Sequence, residues 1–444
     1  MKSILVAFFF LSCISGLNAQ VRQDSNENWT CHFQFTVITQ GHPSFSSKYS
    51  GTNSLSSSAE RNKLSITSTL FLGRRLWKNA AIYGNEEVAG GEGLSQARGI
   101  AGFPNGETFR IGSTAPAIYV ARIYLQQYIP FRNAEYVKND DDVNQLGGLV
   151  PSKGIRIIAG KFGLADYFDN NTYSHDPRSQ FMNWALMNNG AWDYPANTRG
   201  YTTAFLAELR EPLWSLRFSA AAEPKKANGL VLDYDITKSH GLTFEAERDW
   251  KGNRPGAIRL LVFSNNSHAL AYNQVLQQVK AGDSSNLGIF TGDKEGTAYG
   301  GNKYGFGINV EQAITKYAGA FLRGGWNDGK TATWAYTEID RTISGGLNIN
   351  GIKWKRPGDY FGIAQIVSGI SGDHRDFLSA GLYGFMIGDG KLNYGTEKIT
   401  EIYYEANFAK AYFISGDLQF VKNPAYNKDR GPVYVFALRA HVIL

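Results

Sequence analysis

The sequence predicts an all-β fold, a transmembrane antiparallel β-barrel of 16 strands, with 18 as the alternative count, narrowed by a loop folded into its lumen. Three observations carry this expectation. Segments of about 10 residues alternate apolar and polar positions through most of the chain, which is the pattern of a wall with lipid on one side and water on the other. After the first residues, no stretch approaches the ~20 apolar residues that a membrane helix requires. Residues 166–199 then lose the alternation and carry aromatic residues at irregular spacing.

The last segment shows the alternation most plainly. Tyr434, Phe436, Leu438, Ala440, Val442 and Leu444 fall on one face, and Val435, Ala437, Arg439, His441 and Ile443 on the other. An apolar strand at a chain end is an aggregation hazard unless it is paired, and a closed barrel pairs the last strand with the first. The first segment matches it, with Cys31, Phe33, Phe35 and Val37 opposing His32, Gln34 and Thr36. Between them the same rhythm places Tyr119, Ala121, Ile123 and Leu125 against Arg122, Tyr124 and Gln126, and Trp214, Leu216, Phe218 and Ala220 against Ser215, Arg217 and Ser219. A hairpin is expected where Leu230, Leu232, Tyr234 and Ile236 precede a turn at Lys238-Ser239-His240-Gly241 and then Leu242, Phe244 and Ala246. Its polar face would hold Asp233, Asp235, Thr243, Glu245 and Glu247. Residues 65–76 and 361–370 are the weakest segments, and dropping them gives the lower strand count.

The amino-terminal residues indicate the compartment. Lys2 precedes the apolar run 4–14, and Leu17-Asn18-Ala19 resembles a small-residue cleavage site. Residues 1–19 are therefore expected to be a signal peptide, and residues 20–444 one outer-membrane barrel domain of a Gram-negative cell. Removal of that peptide leaves Cys31 as the one cysteine, so no internal disulfide framework is expected. The composition agrees: 14% aromatic, with 24 Tyr, 27 Phe and 49 Gly, at a mean hydropathy of −0.29. A net charge of +6 without a dense basic stripe argues against a nucleic-acid partner. The seven histidines are scattered without metal-ligand spacing, and neither a nucleophile elbow nor a phosphate loop is present, so no metal, cofactor or catalytic residue is expected.

Three regions lack the strand rhythm: residues 90–112, 166–199 and 265–295. The first is Gly-rich and contains Arg98, Glu107 and Arg110; the third is mostly polar and suits a short helix or an external loop. A long aromatic-rich segment such as 166–199 is more consistent with an ordered functional loop than with disorder.

Several of its motifs are familiar. Gly160-Lys161-Phe162, Asp166-Tyr167-Phe168-Asp169, His175-Asp176-Pro177-Arg178, Phe181-Met182-Asn183-Trp184 and Gly190-Ala191-Trp192-Asp193-Tyr194-Pro195 resemble the carbohydrate-selective porin (OprB-type) family. Gly99-Ile100-Ala101-Gly102-Phe103-Pro104-Asn105-Gly106 and Asn423-Pro424-Ala425-Tyr426-Asn427 extend the likeness, which covers the chain from about Phe33 onward. The resemblance implies a 16-stranded outer-membrane barrel that passes sugars by diffusion through a constricted pore. Leu444 departs from the aromatic last residue common among outer-membrane proteins.

A sugar path needs aromatic faces for the C–H face of a pyranose, and charged or amide groups to exchange hydrogen bonds with its hydroxyls. Trp184, Trp192 and Tyr194, beside Asp193 and Arg199, offer both. The candidates for the constriction are Glu87, Arg98, Arg110, Arg122, Lys161, Asp166, Asp169, Arg178 and Arg199, whose opposed charges would hold a field across a narrow, wet lumen. The competing role is structural: such aromatics pin a loop to the wall, and such charges pair and stiffen it. Two other functions fit a barrel of this kind, an anion or acidic-polysaccharide channel, and an enzyme or adhesin with a plugged lumen. The expected partners are sugars as solutes and outer-membrane lipid, with the protein a monomer or homo-oligomer.

Overall fold

A computed structural model describes residues 27–108 and 114–444, so the expected signal peptide and Arg110 lie outside the described residues. The first half holds β1 (Trp29–His42), β2 (Glu60–Trp77), β3 (Ala80–Gly91), β4 (Ala117–Pro130), β5 (Tyr136–Asn139), β6 (Gly148–Pro151), β7 (Gly154–Phe162), β8 (Thr202–Glu211) and β9 (Trp214–Ala222). The second holds β10 (His240–Trp250), β11 (Gly256–Ser267), β12 (Gly301–Thr315), β13 (Ala318–Asn327), β14 (Arg341–Asn350), β15 (Tyr360–Gly369), β16 (Glu397–Asn407), β17 (Tyr412–Lys422) and β18 (Val433–Ile443). All except β5 and β6 join edge to edge into one closed antiparallel barrel of 16 strands.

The seam is the pairing of β1 with β18, in register from Gln34↔Ile443 to Gly41↔Phe436. Leu444 completes it through reciprocal 2.9 Å backbone hydrogen bonds with Phe33. Every edge is thereby satisfied, as lipid demands of a spanning sheet. Phe218, Phe244, Leu260, Val262, Phe306, Leu322, Ile343, Phe436 and Leu438 stand exposed on the outside. Among the described residues, no helix is long and apolar enough to cross a membrane.

The two rims differ. Connections at one end are mostly short, at residues 78–79, 212–213, 251–255, 316–317 and 408–411. At the other end the loops are long, including 43–59, 92–116, 163–201, 268–300 and 370–396. In outer-membrane barrels the short turns face the periplasm and the long loops face outward. Two connections at the short-turn end are longer: residues 351–359, and residues 131–153, which form the separate β5–β6 hairpin.

The alternation departs from its expected course in two places. Residues 230–236 do not form a barrel strand; they belong to the 223–239 loop, where only a bridge from Leu232 to Pro224 is strand-like. Asp233 there binds His268 at 2.9 Å, and Asp235 binds Lys238 at 2.9 Å, so neither continues the polar strip of Glu245 and Glu247. The second departure is a β-bulge in β4. Asn85 pairs with Arg122 but Glu86 pairs with Val120, which leaves Ala121 as the extra residue. A bulge reverses the facing of everything on one side of it. Tyr119 therefore shares the lumen face with Arg122 and Tyr124, not the outer face with Ile123 and Leu125. Residues 65–76 and 361–370, the weakest segments, are both barrel strands, within β2 and β15.

The hydrophobic core lies inside the barrel and is built largely by loops. Phe103, Phe181, Trp184, Leu186, Ile339, Tyr336, Phe377, Ile387 and Tyr426 form one buried cluster there. The 268–300 loop adds a helix at Tyr272–Lys280, and the 370–396 loop another at Gly372–Ser379. Tyr272 stacks on His374 between them, with ring centroids 4.3 Å apart.

Candidate pore constriction

The lumen wall behind this core consists of strand side chains that hold loop backbone. Arg323 of β13 is fully buried and donates to the carbonyls of Leu186 (2.9 Å), Asp169 (3.0 Å) and Ser174 (2.7 Å), and it pairs with the Asp169 carboxylate at 3.1 Å. Glu401 of β16 accepts the backbone N–H groups of Met182 and Asn183. Glu397, on the same strand, accepts those of Ala101, Gly102 and Ala425. Arg439 of β18 donates to the carbonyls of Pro177 at 2.6 Å and Gln180 at 2.8 Å. Backbone polar groups packed inside a barrel must find partners, and these inward charges supply them.

Glu338, on the 328–340 loop, does the same for the N–H groups of Met386 and Ile387. Burial raises its carboxyl to about 7, against the opposing pull of His374 and of those two amides.

On the other side of the lumen the loops leave space. A cavity of about 540 Å³ is lined by β1–β4, β7, β9, the 163–201 segment and the β5–β6 hairpin, and no residue of β10–β18 borders it. Arg122 grips Asp166 with two parallel 2.7 Å hydrogen bonds. Arg178 donates to Glu107 at 2.7 Å, to Gln34 at 3.0 Å and to Glu87 at 3.4 Å. Glu87 also accepts from Thr69 at 2.9 Å, from Tyr201 at 3.1 Å and from the Tyr119 hydroxyl. The Arg199 guanidinium lies 3.6 Å from the centre of the Tyr119 ring, and that of Arg122 lies 5.0 Å from the Tyr201 ring. Cations over aromatic faces in this way are held mainly by the ring quadrupole.

Titration in the loop follows from burial and these charges. Burial raises the Glu107 carboxyl in spite of Arg178. At Asp176 burial is the largest influence and pulls upward, but the Arg178 charge and backbone N–H, with His441 and His175, together hold the group below its usual value. Burial, reinforced by Arg323, lowers His175 against the opposing pull of Asp176, Asp166 and Asp169.

A ladder of alternating charge continues along the wall. Arg156 of β7 pairs with Glu208 of β8 at 2.8 Å, and Glu208 with Arg217 of β9 at 2.8 Å. Arg217 reaches Glu245 and Glu247 of β10, Glu247 meets Arg259 of β11 at 3.1 Å, and Arg259 meets Glu311 of β12 at 3.3 Å.

Glu87, Arg122, Asp166, Arg178, Trp184, Tyr194 and Arg199, all singled out in the sequence, border the cavity together. Asp169, Trp192 and Asp193 do not. Trp192 is 1% exposed and packs between Phe168 and Tyr194. Asp193 accepts the backbone N–H groups of Trp334, Ala335 and Tyr336 and pairs with Lys303 at 3.2 Å. These residues serve the packed side. Arg98 is absent from the lining. Lys161 corrects the expectation for it: it stands on the outer face of β7 opposite Ile123, and its Nζ donates to the Val120 carbonyl at 2.7 Å, beside the bulge.

The lining also contains residues that sequence reasoning missed, among them Gln34, Glu107, Tyr119, Tyr167, Asn170 and Tyr201. Tyr119 is concealed by the bulge. Glu107 was visible beside Arg98 and Arg110, but only the fold brings it to Arg178.

A family profile described as carbohydrate-selective porin, OprB family, matches residues 57–444. The chain belongs to that family and is a passive outer-membrane channel for carbohydrates. It is similar to the high-pH structure of Pseudomonas putida OprB, at 15% identity over 94% of each chain and a TM-score of 0.65. The low-pH structure of the same protein aligns at 12% identity over 94% of this chain and 93% of that one, with a TM-score of 0.47. The outer-membrane channel DcaP of Acinetobacter baumannii aligns at 10% identity over 95% and 99%, with a TM-score of 0.48. No curated protein sequence matches the chain.

Proposed function

We propose that the solute path of this channel runs through the eccentric cavity and that its narrow point is the belt of Glu87, Tyr119, Arg122, Asp166, Arg178, Arg199 and Tyr201. The observation that carries this reading is the mixture of groups in one confined space: aromatic rings beside Arg122 and Arg178, both already matched to carboxylates. A carbohydrate presents C–H faces to the rings, and its hydroxyls exchange hydrogen bonds with the paired charges as water is shed. The matched pairs leave little net charge to attract an ion. Binding stays weak enough for release because each contact replaces one already made.

Reconstitution of the folded protein in planar bilayers tests this. Discrete conductance steps, partly blocked by sugar, are expected; folded protein without any steps overturns the reading. Reversal potentials in a salt gradient address the anion-channel alternative, and the pairing of Arg122 and Arg178 predicts weak selectivity. The same pairing logic applies to Glu245 and Glu247: both carboxylates clamp Arg217, so this reading gives them no catalytic task. Residues 1–19 act as a cleaved export signal in this scheme, and the intact mass of protein extracted from outer membranes checks the cleavage site.

A further inference from the structure

The outer face carries an unmatched pair of cations at the rim of the long loops. Lys398 of β16 and Lys422 of β17 lie directly opposite each other in the ladder, and both point outward and are exposed. Like charges in a direct cross-strand pair repel. Among the described residues, neither lysine has a carboxylate within ion-pairing distance, although most inward charges of this barrel are paired. Arg341, at the same rim on β14, is outward and exposed as well.

What lies next to the lysines defines the level in the membrane. Phe420, two residues before Lys422, packs its ring at a tilt against Tyr434 of β18, with centroids 5.0 Å apart. Tyr434 is exposed, and Phe436 and Leu438 follow it down the outer face. Aromatic residues of this kind mark the interface between headgroups and acyl chains. The cations therefore stand at headgroup height with an apolar surface directly beneath them. The corresponding rim position between β11 and β12 is an Asn266–Asn302 pair, so the facing pair of cations does not recur there.

We propose that Lys398, Lys422 and Arg341 form a binding site for the phosphate headgroup of an anionic outer-leaflet lipid, whose acyl chains lie along Phe420, Tyr434, Phe436 and Leu438. A phosphate between the two lysines converts their repulsion into two charge-assisted contacts. The long lysine stems allow both ammonium groups to converge on one headgroup while staying over apolar wall.

The test is native mass spectrometry of the full chain, folded in neutral detergent, with lipid A carrying its phosphates, with lipid A stripped of them, and with inorganic phosphate. The expected result is retention of phosphorylated lipid A alone. The double substitution Lys398→Gln with Lys422→Gln should weaken it about 25-fold, roughly fivefold for each cation removed near an anionic lipid surface. Lys238→Gln, on the 223–239 loop, should leave it unchanged. Should the double variant not fold, each single substitution reads the same quantity at about fivefold. Equal retention by wild type and variants, equal binding of the stripped lipid, or displacement by inorganic phosphate as effective as by lipid A overturns the proposal.

Discussion

The two sides of the lumen use the same chemistry to opposite ends. Along β12–β18 the inward charges are spent on loop backbone: Arg323, Glu397, Glu401 and Arg439 each hold carbonyls or amides of segments that fill the barrel. Along β1–β4, β7 and β9 the inward charges pair with one another and with tyrosines around open space. Barrels of this strand number are wide enough for a water channel. On the path proposed above, the loops would set the width by how much of the lumen they occupy, and the side they leave free would set the solute preference.

Substitutions on the packed side should change how wide the path is, and those on the wet side what it prefers. The largest effect is expected from Arg323→Met. It leaves the Asp169 carboxylate buried without its cation, a loss of about 3–5 kcal/mol of loop anchoring. Thermal unfolding should shift down and single-channel conductance should rise; unchanged conductance would erase the distinction between the sides. Glu338 comes next. Its carboxyl is raised to about 7 from an ordinary 4.5, so its stabilising effect is full below 4.5 and is lost as pH rises through about 7. Hydrogen exchange at Met386 and Ile387 should accelerate over that window beyond the intrinsic rate, by on the order of 3 kcal/mol, and Glu338→Gln should remove the dependence.

On the wet side, Glu87→Gln weakens the acceptor shared by Thr69, Tyr119, Arg178 and Tyr201. A loss of about 1–3 kcal/mol is expected, read as a roughly fivefold to 150-fold weakening of sugar block with little change in the unfolding temperature. Tyr119→Ala should weaken block about fivefold, the value of one aromatic contact, without altering the barrel. Lys161→Ala is the smallest: on the outer face it should leave conductance and block as they are. An effect on block would place its ammonium in the path after all.

The strands were legible because each residue faces either lipid or lumen, and that choice is written locally as alternation. It fails where the local rule is suspended. The β4 bulge carries no signal in Tyr119-Val120-Ala121-Arg122 beyond small Ala121, yet it moves Tyr119 into the lumen and leaves a carbonyl outside for Lys161. Residues 230–236 alternate well but lie in a loop, because β10 begins only at His240 and takes its partners from β9 and β11. Among the candidate residues, charge type was visible and assignment to a side was not. Asp166 and Asp169 stand three residues apart; one meets Arg122 across the cavity and the other Arg323 within the core. That division depends on contacts between strands distant in sequence, which no local pattern records.

Arg439 also gives the narrow path a place in time. It sits on β18, the last strand, and reaches across to the carbonyls of Pro177 and Gln180, some 260 positions earlier in the chain. Contacts of such sequence separation form late in folding. The segment proposed to shape the opening thus lacks one of its clamps until β18, the last strand, has joined the sheet. A half-inserted sheet would be an unsorted hole, and the cell meets the finished sieve only once the ring is shut.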